Sequence, residues 1–475
     1  MTSGSVPSGV DTNVLPAPPR RQPSSRVAWP LTVLIAGYPL WWLLGFGTIG
    51  VLLIAIPMTV ALWRRRPIRI PPGFALWLLF LFWVMLSTVM LSGWPDGTLP
   101  GSWHARLSEA LLTRASYLAA TVTLLFIGNL SDRELPRRRA EALMALMFCW
   151  IVAGGVLGLL VPDFSITSPL ELVLPSGLLG EAATASLIHP TAAQQQEVLG
   201  YATPRPSAPW GYTNVWGNNF GIMSVWFVYW WLTRGVNTLW TRIGGAVVLL
   251  IGAVVATYSL NRGLWIAVGG AAAYALVRAI RKRGANTAVA VGGAAAALVA
   301  LVLLSPASAL IAARFETGHS NSARSFSIEQ TFPVTAQSPV LGWGGPREVV
   351  GSESSIAVGR SEDCPRCGNI PLGANGQLWF LLIGQGVIGA VAYVAFFVRF
   401  AWVYRKDRSA FGIAAGALML LPLWFMFVYN AVPNPVFFYL LSAGMIWRYG
   451  RTDRDGLDRR ARAPARTELA EVARA

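Results

Sequence analysis

The sequence is short of charge. Only 13% of its 475 residues are charged, while 54% are hydrophobic. So few charges cannot cover a soluble protein of this length. The apolar residues also fall into blocks of about 20, long enough to cross a bilayer core. Cysteine and histidine number three each. Around Cys364-Pro-Arg-Cys367 that leaves too few ligands for a four-coordinate zinc site, so no metal and no cofactor is expected. No Gly-Lys-Ser/Thr triplet follows the glycines at 342–345, which excludes a nucleotide P-loop. The helix centres contain no acidic or basic residue, which counts against ion-coupled transport. The first 26 residues contain no apolar stretch and read as a disordered tail, not a cleavable signal. There is no clear internal repeat.

What is abundant is apolar helix-forming sequence, with 21 tryptophans suited to bilayer–water interfaces. The expected fold class is an all-α polytopic membrane protein of about 12 transmembrane helices. They fall at about 30–46, 48–63, 72–92, 109–130, 140–162, 212–233, 242–260, 262–280, 284–305, 376–399, 409–429 and 435–449. This divides the chain into a cytoplasmic tail (1–29), N-terminal helices (30–162), a first long loop (163–211), central helices (212–305), a second long loop (306–375), C-terminal helices (376–449) and a basic tail (450–475). The net charge of +16 would point to nucleic acid on a soluble protein, but here its distribution matters more. Alternate segments hold Arg64–Arg65–Arg66, Arg137–Arg138–Arg139, Arg281–Lys282–Arg283 and Arg405–Lys406. Positive-inside bias makes these cytoplasmic, with both termini, and puts the two long loops outside as folded caps. The partners are then membrane lipids, with the basic C-terminal tail on anionic lipid, and no nucleic acid.

The outward basic residues are Arg106, Arg114, Arg205, Arg262, Arg314, Arg324, Arg347, Arg360 and Arg366, with no lysine among them. Arginine's planar fork binds phosphate oxygens in pairs, although interface arginines also snorkel or pair with acids. Arg262 stands out. The link Ser259–Leu260–Asn261–Arg262–Gly263 between two apolar blocks is too short to wander, and Ser259 and Asn261 beside it can hydrogen-bond. Cys364 and Cys367, in an outside loop, read most simply as a disulfide, with free or redox-active thiols or a metal site as alternatives. Gly342, Gly344 and Gly345 form a bend that is either a plain turn or a phosphate cradle.

Four segments together resemble the O-antigen ligase and O-antigen polymerase superfamily. Tyr258-Ser-Leu-Asn-Arg-Gly-Leu-Trp265 resembles its Ser-Arg-Gly signature. Arg205, then Trp210-Gly-Tyr-Thr-Asn214, precedes a helix in the same way. Arg324 with Pro339-Val-Leu-Gly342-Trp-Gly344 is similar to its Arg…Pro-x-x-Gly-x-Gly segment. Gly373-Ala-Asn375-Gly-Gln-Leu-Trp379 resembles the element that begins the next helix.

The resemblance implies a metal-independent glycosyltransferase of the bacterial inner membrane, working on its extracytoplasmic face. It would take a polyprenyl-diphosphate-linked glycan as donor and a lipid or glycan hydroxyl as acceptor. It implies that Arg262 and Arg324 hold the diphosphate, with Arg205 as a third clamp and Asn214, Asn261, Gly342 and Gly344 in support. Where the family has a catalytic histidine, this chain has Asn375, which can position a hydroxyl but cannot deprotonate it near neutral pH. His319 is then the first candidate for the base, and His189 and Glu329 are weaker ones. Rival readings are a transporter or flippase of envelope precursors and a non-catalytic assembly scaffold. Arg262→Ala and Arg324→Ala in a deletion strain separate the three. An enzyme remains expressed but leaves lipid-linked glycan unprocessed, a transporter alters the leaflet distribution of its cargo, and a scaffold tolerates both changes.

Overall fold

The computed structural model describes residues 25–101, 103–174, 187–199, 201–234, 238–283, 307–316, 319–349 and 370–451. The expected helix at 284–305, the Cys364–Cys367 pair and most of both tails lie outside the described residues. The rest is mostly helical: α1 (Trp29–Ala36), α2 (Tyr38–Leu43), α3 (Gly50–Trp63), α4 (Phe74–Leu86), α5 (Trp103–Asn129) and α6 (Arg137–Leu160), then α7 (Pro169–Val173), α8 (Thr213–Arg234), α9 (Leu239–Tyr258) and α10 (Arg262–Arg283). Next come α11 (Ala307–Glu316), α12 (His319–Ala336), α13 (Gln377–Tyr404), α14 (Ala410–Phe425) and α15 (435–451). Among the described residues, five helices are long and apolar enough to cross a membrane, and three apolar ones are shorter.

The first expected helix divides at Gly37, where Pro39 cannot continue the hydrogen-bond ladder of α1. The two long loops are caps with structure of their own. The first contains α7 and an antiparallel hairpin of β1 (Ala193–Glu197) and β2 (Ala202–Pro206). The second contains α11, α12 and the antiparallel pair β3 (Arg347–Val349) and β4 (Ile370–Leu372). The two hairpins qualify the all-α expectation only outside the bundle.

Helix α15 is the central post. Residues 434–449 are buried without interruption. Its side chains reach its neighbours: Tyr439 donates to Asn218 Oδ1 (2.6 Å), Ser442 accepts from Trp226 (2.9 Å), and Trp447 lies over Gly128. By contrast α9 is largely exposed, presenting Trp240, Ile243, Val247, Leu250 and Val254. The polar ties sort the helix ends into two sets. One end joins Arg65 to Glu134, Arg234 to Glu141, Arg448 to Asp132, and Arg278 to the Asp407 carbonyl. The opposite end joins Asn434 to Gly47 and Thr48, Trp210 to Tyr38, and both long loops to the bundle.

Helix α13 is not continuous. Gly386 has φ 65° and ψ −171°, a conformation open essentially to glycine alone. The kink frees backbone groups, and the bend at 339–344 satisfies them. Trp343 N donates to the Ile383 carbonyl (2.7 Å), Gly344 N to Gly384 (2.7 Å), and Val387 N to Pro339 (2.8 Å). A Cβ on Gly342 would meet Gly386 N at 2.5 Å, so the two backbones touch because both residues lack side chains. The bend carries α12 with it, since Trp343 Nε1 donates to the Val334 carbonyl (2.9 Å) near the end of that helix. Gly386→Ala should therefore destabilise the protein by about 1–3 kcal/mol, from backbone strain together with contact on the Pro339 and Val340 carbonyls. Thermal unfolding in detergent measures this, and Gly384→Ala, which has no contact tighter than 3.5 Å, is the near-neutral control.

Candidate functional site

The site is built around the turn between α9 and α10. Ser259–Leu260–Asn261 reverses the chain between two membrane-length helices. Leu260 takes φ 53°, the left-handed region, which costs a residue with a Cβ about 1–2 kcal/mol. Two buried arginines hold it there. Arg205 Nε, from β2, donates to the Ser259 carbonyl (2.7 Å), and Arg314 Nε, from α11, donates to the Leu260 carbonyl (3.3 Å). Arg205 also donates to Gln196 across the β1–β2 hairpin. Asn261 reaches the Thr213 carbonyl (3.4 Å) at the start of α8, next to Asn214, and Gly217 leaves room for its amide.

Arg262 is the first residue of α10 and is partly exposed. Arg324, on α12, is partly exposed as well. Both lie within electrostatic reach of Arg205, Arg314 and the Tyr429 phenol. Burial first, and then the charges of Arg314, Arg324 and Arg262, push the Arg205 guanidinium down to about 9, partly offset by Tyr429. Burial and then the charges of Arg262 and Arg324 push Arg314 down to about 10. Tyr429 is buried and stands at the centre. Burial raises its phenol to about 12 against the pull of Arg324 and Arg205, so it stays protonated. The Leu264 backbone N–H donates to its hydroxyl, and Gly263 is the residue against which that hydroxyl packs. The hydroxyl oxygen accepts there and its proton is left to donate elsewhere.

Asn375 is tied to the same place through the backbone. Two residues on, Gln377 N donates to the Tyr429 carbonyl (2.9 Å), Gln377 Oε1 accepts from Ala431 N (2.7 Å), and Leu378 N donates to Met426 (2.8 Å). The start of α13 and the end of α14 thereby cap each other. His319 is the first residue of α12, about 7.5 Å along the helix axis from Arg324. Glu329 is exposed on that helix. His189 pairs with Glu171 (2.9 Å) beside the capping box that starts α7.

The structure thus brings Arg205, Arg262 and Arg324 together, with Asn261, Asn214 and Asn375 at the margin. It divides the arginines by role. Arg205 and Arg314 are 5% and 3% exposed and each donates its Nε to the turn, while Arg262 and Arg324 are the accessible pair. Gly342 and Gly344 have φ of 67° and 76° and pack on protein backbone, which makes their bend a joint with α13. Three other outward arginines serve that joint or its surroundings. Arg114 donates to the Gly344 carbonyl (3.2 Å), Arg347 to Trp343 (2.8 Å) and Gly93 (3.1 Å), and Arg106 stacks over Trp94. Sequence reasoning did not single out Arg314 or Tyr429. Arg314 was one arginine among nine, and Tyr429 follows an apolar helix with no motif around it.

Residues 245–365 match the O-antigen ligase family. The match supports the O-antigen ligase superfamily for this chain, and proteins of that family are bacterial inner-membrane proteins of ligase or polymerase type in envelope polysaccharide assembly. The O-antigen ligase segment takes in Asn261, Arg262, Arg314, His319 and Arg324, while Arg205, Asn375 and Tyr429 reach the site from outside it. No curated protein matches the chain.

Inorganic pyrophosphate should raise the melting temperature of the purified protein. Arg262→Gln and Arg324→Gln should each weaken its binding about 10- to 100-fold, as expected for a charged hydrogen bond worth about 1.5–3 kcal/mol, and leave the ligand-free melting temperature near wild type. Arg314→Gln should instead lower the ligand-free melting temperature, because the Leu260 carbonyl loses its donor. Intrinsic-fluorescence melting curves at graded pyrophosphate read both effects.

Proposed function

We propose that this chain is a membrane glycosyltransferase that moves a glycan from a polyprenyl diphosphate to an acceptor hydroxyl at the extracytoplasmic surface of a bacterial inner membrane. The observation that carries this reading is the convergence of Arg262 and Arg324, both partly open, on a buried Tyr429 with Arg205 and Arg314 behind them. Such a cluster fits a ligand with several negative charges. Its position also fits. The basic runs at Arg64–Arg66, Arg137–Arg139 and Arg405–Lys406 sit at the opposite end of the bundle, as positive-inside bias requires if the cluster faces outward.

In the reaction the acceptor oxygen attacks the anomeric carbon, the bond from that carbon to the diphosphate oxygen breaks, and polyprenyl diphosphate leaves as an anion. Arg262 and Arg324 stabilise the charge that grows on the leaving oxygens, and fixed donors of this kind are worth most in a site shielded from water. The Tyr429 hydroxyl adds a neutral donor. Asn375 orients the acceptor hydroxyl, and the proton passes to His319 or to a leaving diphosphate oxygen. The polyprenyl tail stays in the bilayer.

Deleting the protein and analysing polyprenyl-linked glycan by mass spectrometry tests the proposal. Accumulated single repeat units identify a polymerase and accumulated long chains a ligase. An unchanged lipid-linked pool, with normal envelope polysaccharide, overturns the transferase reading.

A further inference from the structure

At the end of the bundle opposite the arginine cluster, a groove of about 1010 Å³ runs between the start of α1 and the second half of α3. Its walls are apolar and open: Trp29 is 49% exposed, Ile56 62% and Val60 46%. Its rim is Arg64–Arg65–Arg66. From Ile56 to Arg64 the apolar wall extends about 12 Å along the helix, most of the roughly 15 Å depth of one leaflet's hydrocarbon.

The basic rim is built into the fold. Arg65 is fixed by the Glu134 carboxylate and the Asn129 carbonyl. Asn129 in turn holds Arg69 on both sides, accepting from its backbone N–H at 2.9 Å and donating to its carbonyl at 2.9 Å. The chain from 64 to 69 is therefore pinned against the 129–134 turn. Arg64 and Arg66, on either side of the pinned residue, are exposed at the mouth of the groove. Arg139 adds a further guanidinium nearby, donating to Thr32 on α1 (3.2 Å).

We infer that this groove is a binding site for one anionic glycerophospholipid, its acyl chain along Trp29, Ile56 and Val60 and its phosphate between Arg64 and Arg66. An apolar channel closed by guanidiniums matches a ligand that is apolar along its length and anionic at one end, and aromatic Trp29 suits the level where headgroup meets acyl chain. A zwitterionic lipid would fill the channel and leave the rim charge uncompensated. The chain's own first 24 residues carry Arg20 and Arg21 against a single acid, Asp11, a balance that adds positive charge and does not compensate the rim. The site is independent of the transferase reading, since it lies at the other end of α3 and shares no residue with the arginine cluster.

The full-length protein is reconstituted from equimolar phosphatidylglycerol and phosphatidylcholine, extracted in mild detergent, and its co-purifying lipid is measured by native mass spectrometry. Wild type should retain one phosphatidylglycerol in preference to phosphatidylcholine. Arg64→Gln with Arg66→Gln should cut that preference about thirtyfold, the order expected for two guanidiniums at an anionic lipid surface. Val60→Trp, which fills the groove and leaves the charges in place, should cut retention of both lipids. Arg405→Gln, a basic residue at the same end but outside the groove, should change neither. Equal loss in the Arg405 variant, unchanged retention in the two groove variants, or a dimer that only Val60→Trp dissociates would each overturn the inference. Arg65 is left intact because its bonds to Glu134 and Asn129 hold the local fold, and melting temperature checks that the variants stay folded.

Discussion

The functional end depends on one strained turn. Leu260 is held left-handed between two helices of membrane length, and a residue with a Cβ stays there only when its surroundings compensate. The compensation comes from far along the chain: Arg205 from a hairpin in the first cap and Arg314 from a helix in the second, each donating to a carbonyl of the turn. Both caps are thereby fastened to the same few atoms. The residue that follows the turn, Arg262, begins α10 in a fixed direction, and Gly263 admits the Tyr429 hydroxyl against the helix start. Losing either buried arginine disturbs Arg262 without touching a ligand.

The second accessible arginine is placed by a different device. Arg324 rides on α12, which is joined through the bend at 339–344 to the break in α13 at Gly386. A kinked helix has backbone groups with no partner in its own ladder, and in an apolar bundle such groups must be satisfied by other protein. The bend supplies them and in return receives a rigid seat. Because α13 begins at Gln377, two residues after Asn375, and caps against Tyr429, one helix fixes the Arg324 arm at its kink and the Asn375 side of the cluster at its start. Two accessible arginines from segments about 60 residues apart thus meet on the same phenol.

Much of this could be read from the sequence, and the limits have physical causes. The apolar blocks gave most helices within a few residues, because a long hydrophobic run has no alternative in lipid. Arg262 could be singled out because only three residues, Ser259–Leu260–Asn261, separate its helices. Arg324 and Arg205 followed from resemblance. The kink was not legible: residues 376–399 are mostly apolar, and Gly386 looks like any other glycine in a membrane helix. Nor was the central place of α15, since hydropathy does not tell a helix facing protein from one facing lipid. Tyr429 and Arg314 have no local pattern, and they matter only because folding brings four separate segments to one point. Gly342 and Gly344 read as a bend, while the partners that make glycine necessary lie far off in the chain, at Gly384–Gly386 for Gly342 and at Ser87 and Leu91 for Gly344.

The chain has only two lysines, Lys282 and Lys406, so arginine is its main basic residue throughout, but at this end the choice has an electrostatic consequence. Arg205 falls from its ordinary value to about 9, by burial first and by neighbouring guanidiniums after. It keeps its charge at neutral pH only because it starts so high. Arginine's high intrinsic basicity and planar fork suit it to stay charged among its own kind while holding the turn. The crowding that depresses each guanidinium raises the energy of the empty cluster. A ligand with several negative charges relieves repulsion as well as adding attraction, so it gains more than direct contact with Arg262 and Arg324 alone would give. A neutral sugar gains nothing from that relief. The cluster therefore favours a ligand with several negative charges over a neutral one.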